Sequence, residues 1–178
     1  MSNDARTDLA RRIYQTAHIT GEFTLRSGAK SNEYFDKYLF EANPKLLADI
    51  AAALVPLVPE GIDALAGLEM GGIPIATMLS QLTGLPVLFV RKQAKEYGTC
   101  KIAEGGQVKG RKLLIVEDVV TSGGAILDAA KALVAEGAIL DQVVCVIDRE
   151  SKGKANLAEV KLTLKPLFTM TELKKAGE

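Results

Sequence analysis

The sequence lacks several features that mark other classes of protein. Its 178 residues include only two cysteines, Cys100 and Cys145, and a single histidine, His18. Two isolated cysteines form neither a disulfide framework nor a metal-binding pair. Lys and Arg together number 22, as do Asp and Glu, so the net charge gives no reason to expect nucleic acid or an anionic membrane as a partner.

Long apolar runs are missing as well. No window of eighteen apolar residues occurs, and the N-terminal residues lack the apolar core of a signal peptide. We therefore expect a cytoplasmic protein in a reducing compartment. The length fits one domain, residues 1–178, with an adequate core, and the 48% apolar and 25% charged fractions are ordinary globular values.

Short apolar runs alternate with amphipathic segments along the chain. Helices are predicted at 4–18, from Pro44 until just before Pro56 or Pro59, at 73–83 and at 124–136. Strands are predicted at 23–25, 34–38, 62–68, 86–90, 112–117, 139–147 and 160–167, with a charged tail after the last. Such alternation is typical of an α/β fold with an open, mostly parallel, twisted sheet flanked by helices. In these sheets ligands bind beyond the carboxyl ends of the strands.

Residues 113–125 form the most specific local pattern. Four apolar residues predict a buried strand, Glu117 and Asp118 stand at its carboxyl end, and a Thr-Ser-Gly-Gly turn opens a helix. A helix N-terminus attracts anions, and glycines let a ligand approach the backbone. Carboxylates instead suit sugar hydroxyls or Mg²⁺, and strand alternation points these two to opposite faces. The pattern predicts a phosphate site with hydroxyl ligands beside it. The alternative is an ordinary turn capped by Thr121 or Ser122, with two solvated acids.

Two further segments follow predicted strands. Residues 67–74 combine glycines with Pro74 at a helix start, and they either offer backbone amides to a second anion or form a plain tight turn. Residues 91–109 are longer than a typical connection and contain clustered cations with three glycines. They fit either a lid that neutralises an anion and excludes water or a solvated β-hairpin.

The segment from Val116 to Ala125 resembles the motif that binds 5-phosphoribosyl 1-diphosphate (PRPP) in the type I phosphoribosyltransferases. In that family two acids hold the ribose 2′- and 3′-hydroxyls, a role that the resemblance gives to Glu117 and Asp118. The following loop wraps the 5′-phosphate. The implied PRPP loop consists of Val119, Val120, Thr121, Ser122, Gly123, Gly124 and Ala125. The family fold adds a small N-terminal hood, here about 1–40 with the C-terminal tail, to a core at about 45–150.

The other two segments extend the resemblance to the orotate-using members of the family. The glycine turn matches their pyrophosphate loop, through Glu69, Met70, Gly71 and Gly72. Many of these enzymes carry a lysine where Gly71 stands. Residues 91–109 resemble their mobile catalytic loop, with PRPP-binding residues Arg91, Lys92, Lys95 and Tyr97, the last in the place of a family histidine. Because that loop completes the partner's active site in the family, the resemblance implies a homodimer with shared active sites.

Base recognition depends on two shorter segments. Residues 23–28 with Tyr34 and Phe35 resemble the hood of the orotate enzymes, and Ile147-Asp148-Arg149 resembles the strand end where an arginine meets the orotate carboxylate. A guanidinium matches a carboxylate through two parallel N–H donors. The implied orotate-binding residues are Arg26, Tyr34, Phe35, Thr121 and Arg149. Taken singly, a surface Arg26 and a solvated Asp148–Arg149 pair are the alternatives.

Together these likenesses imply transfer of the phosphoribosyl group from PRPP to orotate, giving orotidine 5′-monophosphate and pyrophosphate in pyrimidine nucleotide biosynthesis. The implied catalytic residues are Arg91, Lys92, Lys95 and Asp118. Mg²⁺ is expected as a cofactor held mainly by PRPP, with no direct protein ligand. A purine phosphoribosyltransferase and a PRPP-sensing regulator of the same fold are the alternatives.

Overall fold

The computed structural model describes residues 1–24, 28–93 and 101–178 as alternating helices and strands. In chain order these are α1 (Asn3–Ala17), β1 (His18–Thr24), β2 (Lys30–Phe35), α2 (Lys37–Glu41), α3 (Pro44–Leu54), β3 (Ala64–Leu68), α4 (Gly72–Thr83), β4 (Val87–Val90), β5 (Ala103–Glu104), β6 (Lys112–Val120), α5 (Gly124–Ala135), β7 (Ile139–Asp148), α6 (Gly153–Glu159), β8 (Thr163–Thr169) and α7 (Met170–Gly177). A short 3₁₀ helix, Val55–Leu57, follows α3.

Six strands form the central sheet, in the order β5-β4-β3-β6-β7-β8. All neighbours are parallel except β5, which pairs antiparallel with β4. The antiparallel hairpin of β1 and β2 stands apart as a two-stranded sheet, within the segment predicted to form the hood. The α/β fold with a mostly parallel sheet is thus confirmed.

Buried apolar side chains cover both faces of this sheet. Along β6, Leu114 and Val116 join the cluster formed with α1, α3, α4 and α7. Leu113 and Ile115 join the opposite cluster, formed with α5 and α6. Successive strand residues point to opposite faces, so a continuous apolar run is buried on both sides. No helix of the described ranges is long and apolar enough to cross a membrane.

Local signals in the sequence set where the helices begin and end. At the start of α3, Asn43 Oδ1 accepts a hydrogen bond from the Leu46 N–H at 3.0 Å, and Pro44 occupies the first turn. Helix α4 ends at Gly84, whose φ of +73° is the left-handed conformation that glycine adopts without strain.

The order of the strands creates a crevice at one edge of the sheet. From β3 the chain passes through α4 to β4 on one side, whereas β6 lies on the other side of β3. The reversal between β3 and β6 is a topological switch point, where loops diverge and ligands bind beyond the strand ends. Both the glycine turn after β3 and the acid pair of β6 lie there.

Several predicted elements differ from the structure. Helices α2 and α6 were not predicted, and Tyr38, assigned to a strand, lies in α2. The charged tail is the amphipathic helix α7, which begins with a capping box between Thr169 and Glu172. Strand β6 runs on to Val120, so the two acids lie within it.

Candidate active site

The turn from β6 into α5 forms a pocket at the strand end. Gly123 adopts φ +77° directly before α5, a conformation that a side chain would strain. The pocket has a volume of about 260 Å³ and is lined by Glu117, Val119, Val120, Thr121, Ser122, Gly123, Gly124, Ala125 and Ile126. We call it the phosphate corner. Its lining includes every predicted residue of the PRPP loop, and the free N–H groups of α5 point into it.

The side chains of the two acids in β6 lie on opposite faces of the strand, as strand alternation predicts. Glu117 lines the phosphate corner, whereas Asp118 lies on the face of the sheet that α4 covers, where its carboxylate abuts Gly71. Glu117 Oε1 accepts a hydrogen bond from the Asp118 N–H at 3.0 Å, and Asp118 Oδ1 accepts one from the Val119 N–H. Both side chains are buried, so the alternative of two solvated acids is wrong.

Burial and mutual repulsion give the two acids different pKa values. Burial first, and then the charge of Asp118, raise the pKa of Glu117 well above its ordinary value. Burial opposes ionisation of Asp118 too, but hydrogen bonds with Glu117 and Lys37 outweigh it and hold the pKa of Asp118 below its usual range. The site therefore favours one ionised and one protonated carboxyl group.

Helix α2 brings two more ionisable groups to Asp118, and the sequence analysis missed both. The Nζ atom of Lys37 lies 2.5 Å from Asp118 Oδ2. Glu41, one turn further along, is buried beside the same carboxylate. Their i,i+4 spacing after the capping residue Asp36 is the one signal that could have placed them on a common helix face.

The glycine turn after β3 packs tightly against β6. A Cβ atom on Gly72 would overlap the Val116 carbonyl oxygen, and one on Gly71 would overlap the Asp118 carboxylate. The peptide bond between Glu69 and Met70 is cis, and the Met70 side chain is exposed. The predicted pyrophosphate loop and the predicted ribose-binding acid are therefore in direct contact.

A second pocket, which we call the base pocket, lies between the hood and the end of β7. Its volume is about 230 Å³, and its lining consists of Tyr14, His18, Ser31, Glu33, Tyr34, Phe35, Arg149, Met170 and Lys174. Three of the predicted orotate-binding residues meet there. The Arg149 N–H donates to the Val120 carbonyl oxygen at 2.9 Å, which ties this pocket to the end of β6.

The other base-recognition predictions have mixed outcomes. Arg26 lies outside the described residues. Thr121, predicted to bind both substrates, is exposed and lines the phosphate corner. The alternative of a solvated Asp148–Arg149 pair is wrong for Asp148, which is buried and accepts a hydrogen bond from the Glu150 N–H at 2.9 Å, whereas Arg149 is exposed.

The segment 91–109 is described only at its two ends. Arg91 continues from β4, and its N–H donates to the Ile102 carbonyl oxygen at 2.9 Å. Strand β5 pairs with β4 beside it, so the stem of the segment is a β-hairpin. Lys92 is exposed. Lys95 and Tyr97 lie outside the described residues, as does Cys100, so their proposed roles stay predictions.

Comparison with known proteins relates this geometry to one family. Residues 39–172 match the family model described as a phosphoribosyl transferase domain. An orotate phosphoribosyltransferase of a Nocardioides species is 56% identical over 96% of this chain and 95% of its own length. The crystal structure of Mycobacterium tuberculosis orotate phosphoribosyltransferase with Fe(III) dicitrate superposes with a TM-score of 0.86 at 27% identity, covering 95% of this chain and 98% of that one. A structure of the Mycobacterium tuberculosis enzyme with PRPP gives a TM-score of 0.82 at 24% identity, covering 96% and 99%.

Proposed function

This chain belongs to the phosphoribosyltransferase family, and we propose that it transfers the phosphoribosyl group of PRPP to orotate, giving orotidine 5′-monophosphate and pyrophosphate. A relative with 56% identity over nearly its whole length bears that activity in its name. The observation that carries the proposal is that three candidate subsites surround β6. The phosphate corner lies at its end, the glycine turn lies against Asp118, and the base pocket is tied to Val120 by the Arg149 N–H. The product would enter pyrimidine nucleotide biosynthesis.

The phosphate corner suits the ribose 5-phosphate part of PRPP. Backbone N–H groups at the start of α5, with the hydroxyls of Thr121 and Ser122, would bind the 5′-phosphate. Ribose hydroxyls would hydrogen-bond to the ionised carboxylate of Asp118 and to the carboxyl group of Glu117. Since both acids are held by buried strand residues, the sugar would be fixed without a large rearrangement.

The glycine turn suits the pyrophosphate part. Gly71 lies beside the Asp118 carboxylate and Gly72 against the Val116 carbonyl oxygen, so a pyrophosphate bound to the backbone amides of this turn would be next to the ribose. Arg91, Lys92 and Lys95 would add positive charge as pyrophosphate leaves.

Mg²⁺ would be held mainly by PRPP and, when bound, would supply positive charge towards the leaving group. The buried acid that faces the turn, Asp118, already has Lys37 as a partner.

The base pocket suits a planar, negatively charged pyrimidine. Arg149 would bind the orotate carboxylate through two N–H donors, and the rings of Tyr34 and Phe35 would pack against the base. The orotate nitrogen would bond to the anomeric carbon as the bond to pyrophosphate breaks, through a transition state with oxocarbenium character. The protein would contribute position and charge and no covalent nucleophile.

A cytoplasmic homodimer is the proposed form, with segment 91–109 of one subunit completing the site of the other. Lys92→Ala and Lys95→Ala should then lower turnover far more than thermal stability, whereas Lys131→Ala on the exposed face of α5 should change neither. A mixture of Lys95→Ala with Asp118→Asn subunits should regain activity, since one hybrid site would be intact. Mixtures no more active than their separate components would contradict shared sites.

The reaction is tested by offering PRPP and Mg²⁺ with orotate, adenine or hypoxanthine in turn and measuring pyrophosphate release. Release with orotate alone is the expected result. Release with a purine base but not with orotate would assign the chain to the purine enzymes. Binding of PRPP without turnover of any base would favour a regulator.

A further inference from the structure

The short helix α2 brings a lysine and a glutamate to the ribose-binding acid. Phe40 is fully buried and anchors this helix in the core. Lys37 extends from its first residue to Asp118, with a third of the lysine side chain exposed and almost none of the aspartate. Neither Lys37 nor Glu41 belongs to the set of site residues that the family resemblance implies.

The space beside Gly71 is where these groups converge. A Cβ atom on Gly71 would overlap Asp118 Oδ2 and would lie 2.8 Å from Glu41 Oε1. The Glu41 Oε1 atom is buried, and no hydrogen-bond partner reaches it within residues 1–24, 28–93 and 101–178. A proton on Glu41 would satisfy both Glu41 Oε1 and Asp118 Oδ2, because a protonated carboxyl group can donate to a carboxylate.

We infer that Lys37 and Glu41 are positioning residues for the proposed phosphoribosyl transfer, holding the Asp118 carboxylate in place for a ribose hydroxyl beside the pyrophosphate turn. Lys37 donates to the carboxylate from the solvent side, and the Glu41 carboxyl group donates from within. The glycine at position 71 leaves room for this arrangement. Helix α2 therefore supplies a positive charge beside this turn, that of Lys37.

The charges of Lys37, Asp118 and Glu41 explain how this arrangement would favour binding of an anionic substrate. With Lys37 positive, Asp118 negative and Glu41 protonated, the three groups sum to zero beside an anionic pyrophosphate. Ionised Glu41 would instead add a negative charge that repels the substrate and Asp118 alike. Burial, followed by the proximity of Asp118, raises the pKa of Glu41 to about 8, so the protonated form prevails at neutral pH. The other titratable groups facing this cluster are Asp36 and Tyr38 on α2 and Glu117 on β6.

The inference depends on the proposed function for its kinetic readout, so PRPP binding is measured in parallel by calorimetry. The variants are Lys37→Met, Lys37→Arg and Glu41→Gln, with Lys45→Met and Glu60→Gln as exposed controls. Lys37→Met should raise the KM and the Kd for PRPP about tenfold, the loss expected for one charge-assisted hydrogen bond, and leave the KM for orotate within about twofold. Lys37→Arg should restore most of the affinity.

The pH profile separates positioning from mere packing. Activity and PRPP affinity of the unmodified protein should decline above about pH 8, where Glu41 loses its proton. Glu41→Gln keeps a donor towards Asp118 and cannot ionise, so its decline should start at higher pH.

Each contrary result would overturn either the inference or the proposed function, and the two cases are distinguishable. PRPP binding by Lys37→Met equal to that of the unmodified protein, or an unchanged alkaline decline in Glu41→Gln, would overturn the inference. Unmodified protein that binds PRPP but never uses orotate would overturn the proposed function alone, and calorimetry would still decide the roles of Lys37 and Glu41.

Discussion

The phosphate corner and the base pocket meet at the end of β6, yet they are built in opposite ways. The corner comes from one continuous stretch, residues 117–126, in which a buried strand leads directly into a helix. The base pocket combines side chains of α1, β2, the end of β7 and α7. The corner is therefore fixed by local backbone geometry, whereas the pocket depends on how distant segments pack.

The acidic and aromatic side chains that would contact the substrates differ in burial in the same way. Glu117 in the phosphate corner is 8% exposed, whereas Tyr34 in the base pocket is 45% exposed. A site of buried, hydrogen-bonded groups is preorganised for one charge pattern, and an exposed aromatic site adapts more easily. The common ribose-phosphate group would thus be bound by the rigid part of the molecule and the base by the adaptable part.

Replacement of Asp118 by Asn should have the largest effect. Its ionised carboxylate is held by Lys37 and by the Val119 N–H, so an amide in its place removes charge where the ribose hydroxyl would bind. We expect kcat/KM for PRPP to fall about 100-fold, a loss typical of one preorganised electrostatic contact.

Steady-state kinetics at saturating orotate measure this loss, and Asp128→Asn on the exposed face of α5 is the matched control. A fall of less than about tenfold, or an effect confined to the KM for orotate, would show that Asp118 does not bind the ribose.

Arg149→Met should act on the other substrate. Losing hydrogen bonds between a guanidinium and a carboxylate costs about 1.5–3 kcal/mol, which corresponds to a rise of about 10- to 100-fold in the KM for orotate. The KM for PRPP should stay within about twofold, because Arg149 joins the corner only through its backbone N–H. Lys152→Met, exposed in the next turn, is the control. An equal rise in both KM values would mean that the two regions are not separable.

The pH dependence of stability should also distinguish the two regions. Since the pKa of Glu41 is raised to about 8 in the folded state, the folded protein holds a proton that the unfolded chain releases above about pH 4.5. Stability from this group is fully present below that pH, and it is lost as pH rises towards 8. The free energy of unfolding should fall by at most about 1.4 kcal/mol per pH unit in this window.

Urea unfolding of the unmodified protein and of Glu41→Gln between pH 5 and 9 tests this expectation. The two free energies should be similar near pH 5, and that of the unmodified protein should fall below that of Glu41→Gln by a growing margin, which becomes constant above about pH 8. Arg149→Met should run parallel to the unmodified protein throughout. A difference between Glu41→Gln and the unmodified protein that does not change with pH would show that Glu41 is already ionised when folded.

The contrast between the locally built corner and the pocket packed from distant segments also decides which parts of the structure could be predicted from the sequence. The parallel sheet and the corner depend on patterns a few residues long, such as apolar runs, glycines and adjacent acids, and these appear in order along the chain. Helix α2 has five residues, little more than one turn, so it has no periodic signal to recognise. The contact of Lys37 with Asp118 arises only when α2 packs beside β6, and the base pocket likewise exists only after α7 has docked.

Replacement of Thr169 by Ala should have the smallest effect, because Thr169 does not line the base pocket and affects it only by capping the start of α7. Thr169 Oγ1 accepts a hydrogen bond from the Glu172 N–H at 3.2 Å, and Glu172 Oε2 accepts one from the Thr169 N–H at 2.7 Å. Losing such a cap costs about 1 kcal/mol, or about 2–4 °C in Tm for a chain of this size. Thr171→Ala, exposed two residues later, is the control and should leave Tm unchanged.

The same helix places Met170 and Lys174 in the lining of the base pocket. A frayed α7 should therefore raise the KM for orotate slightly, by less than about threefold, and leave the KM for PRPP unchanged. If Thr169→Ala instead weakened PRPP binding as much as orotate binding, the corner would depend on distant packing as the pocket does. Equal stability with an unchanged orotate KM would show that α7 docks through Leu173 and its apolar neighbours alone, without help from its cap.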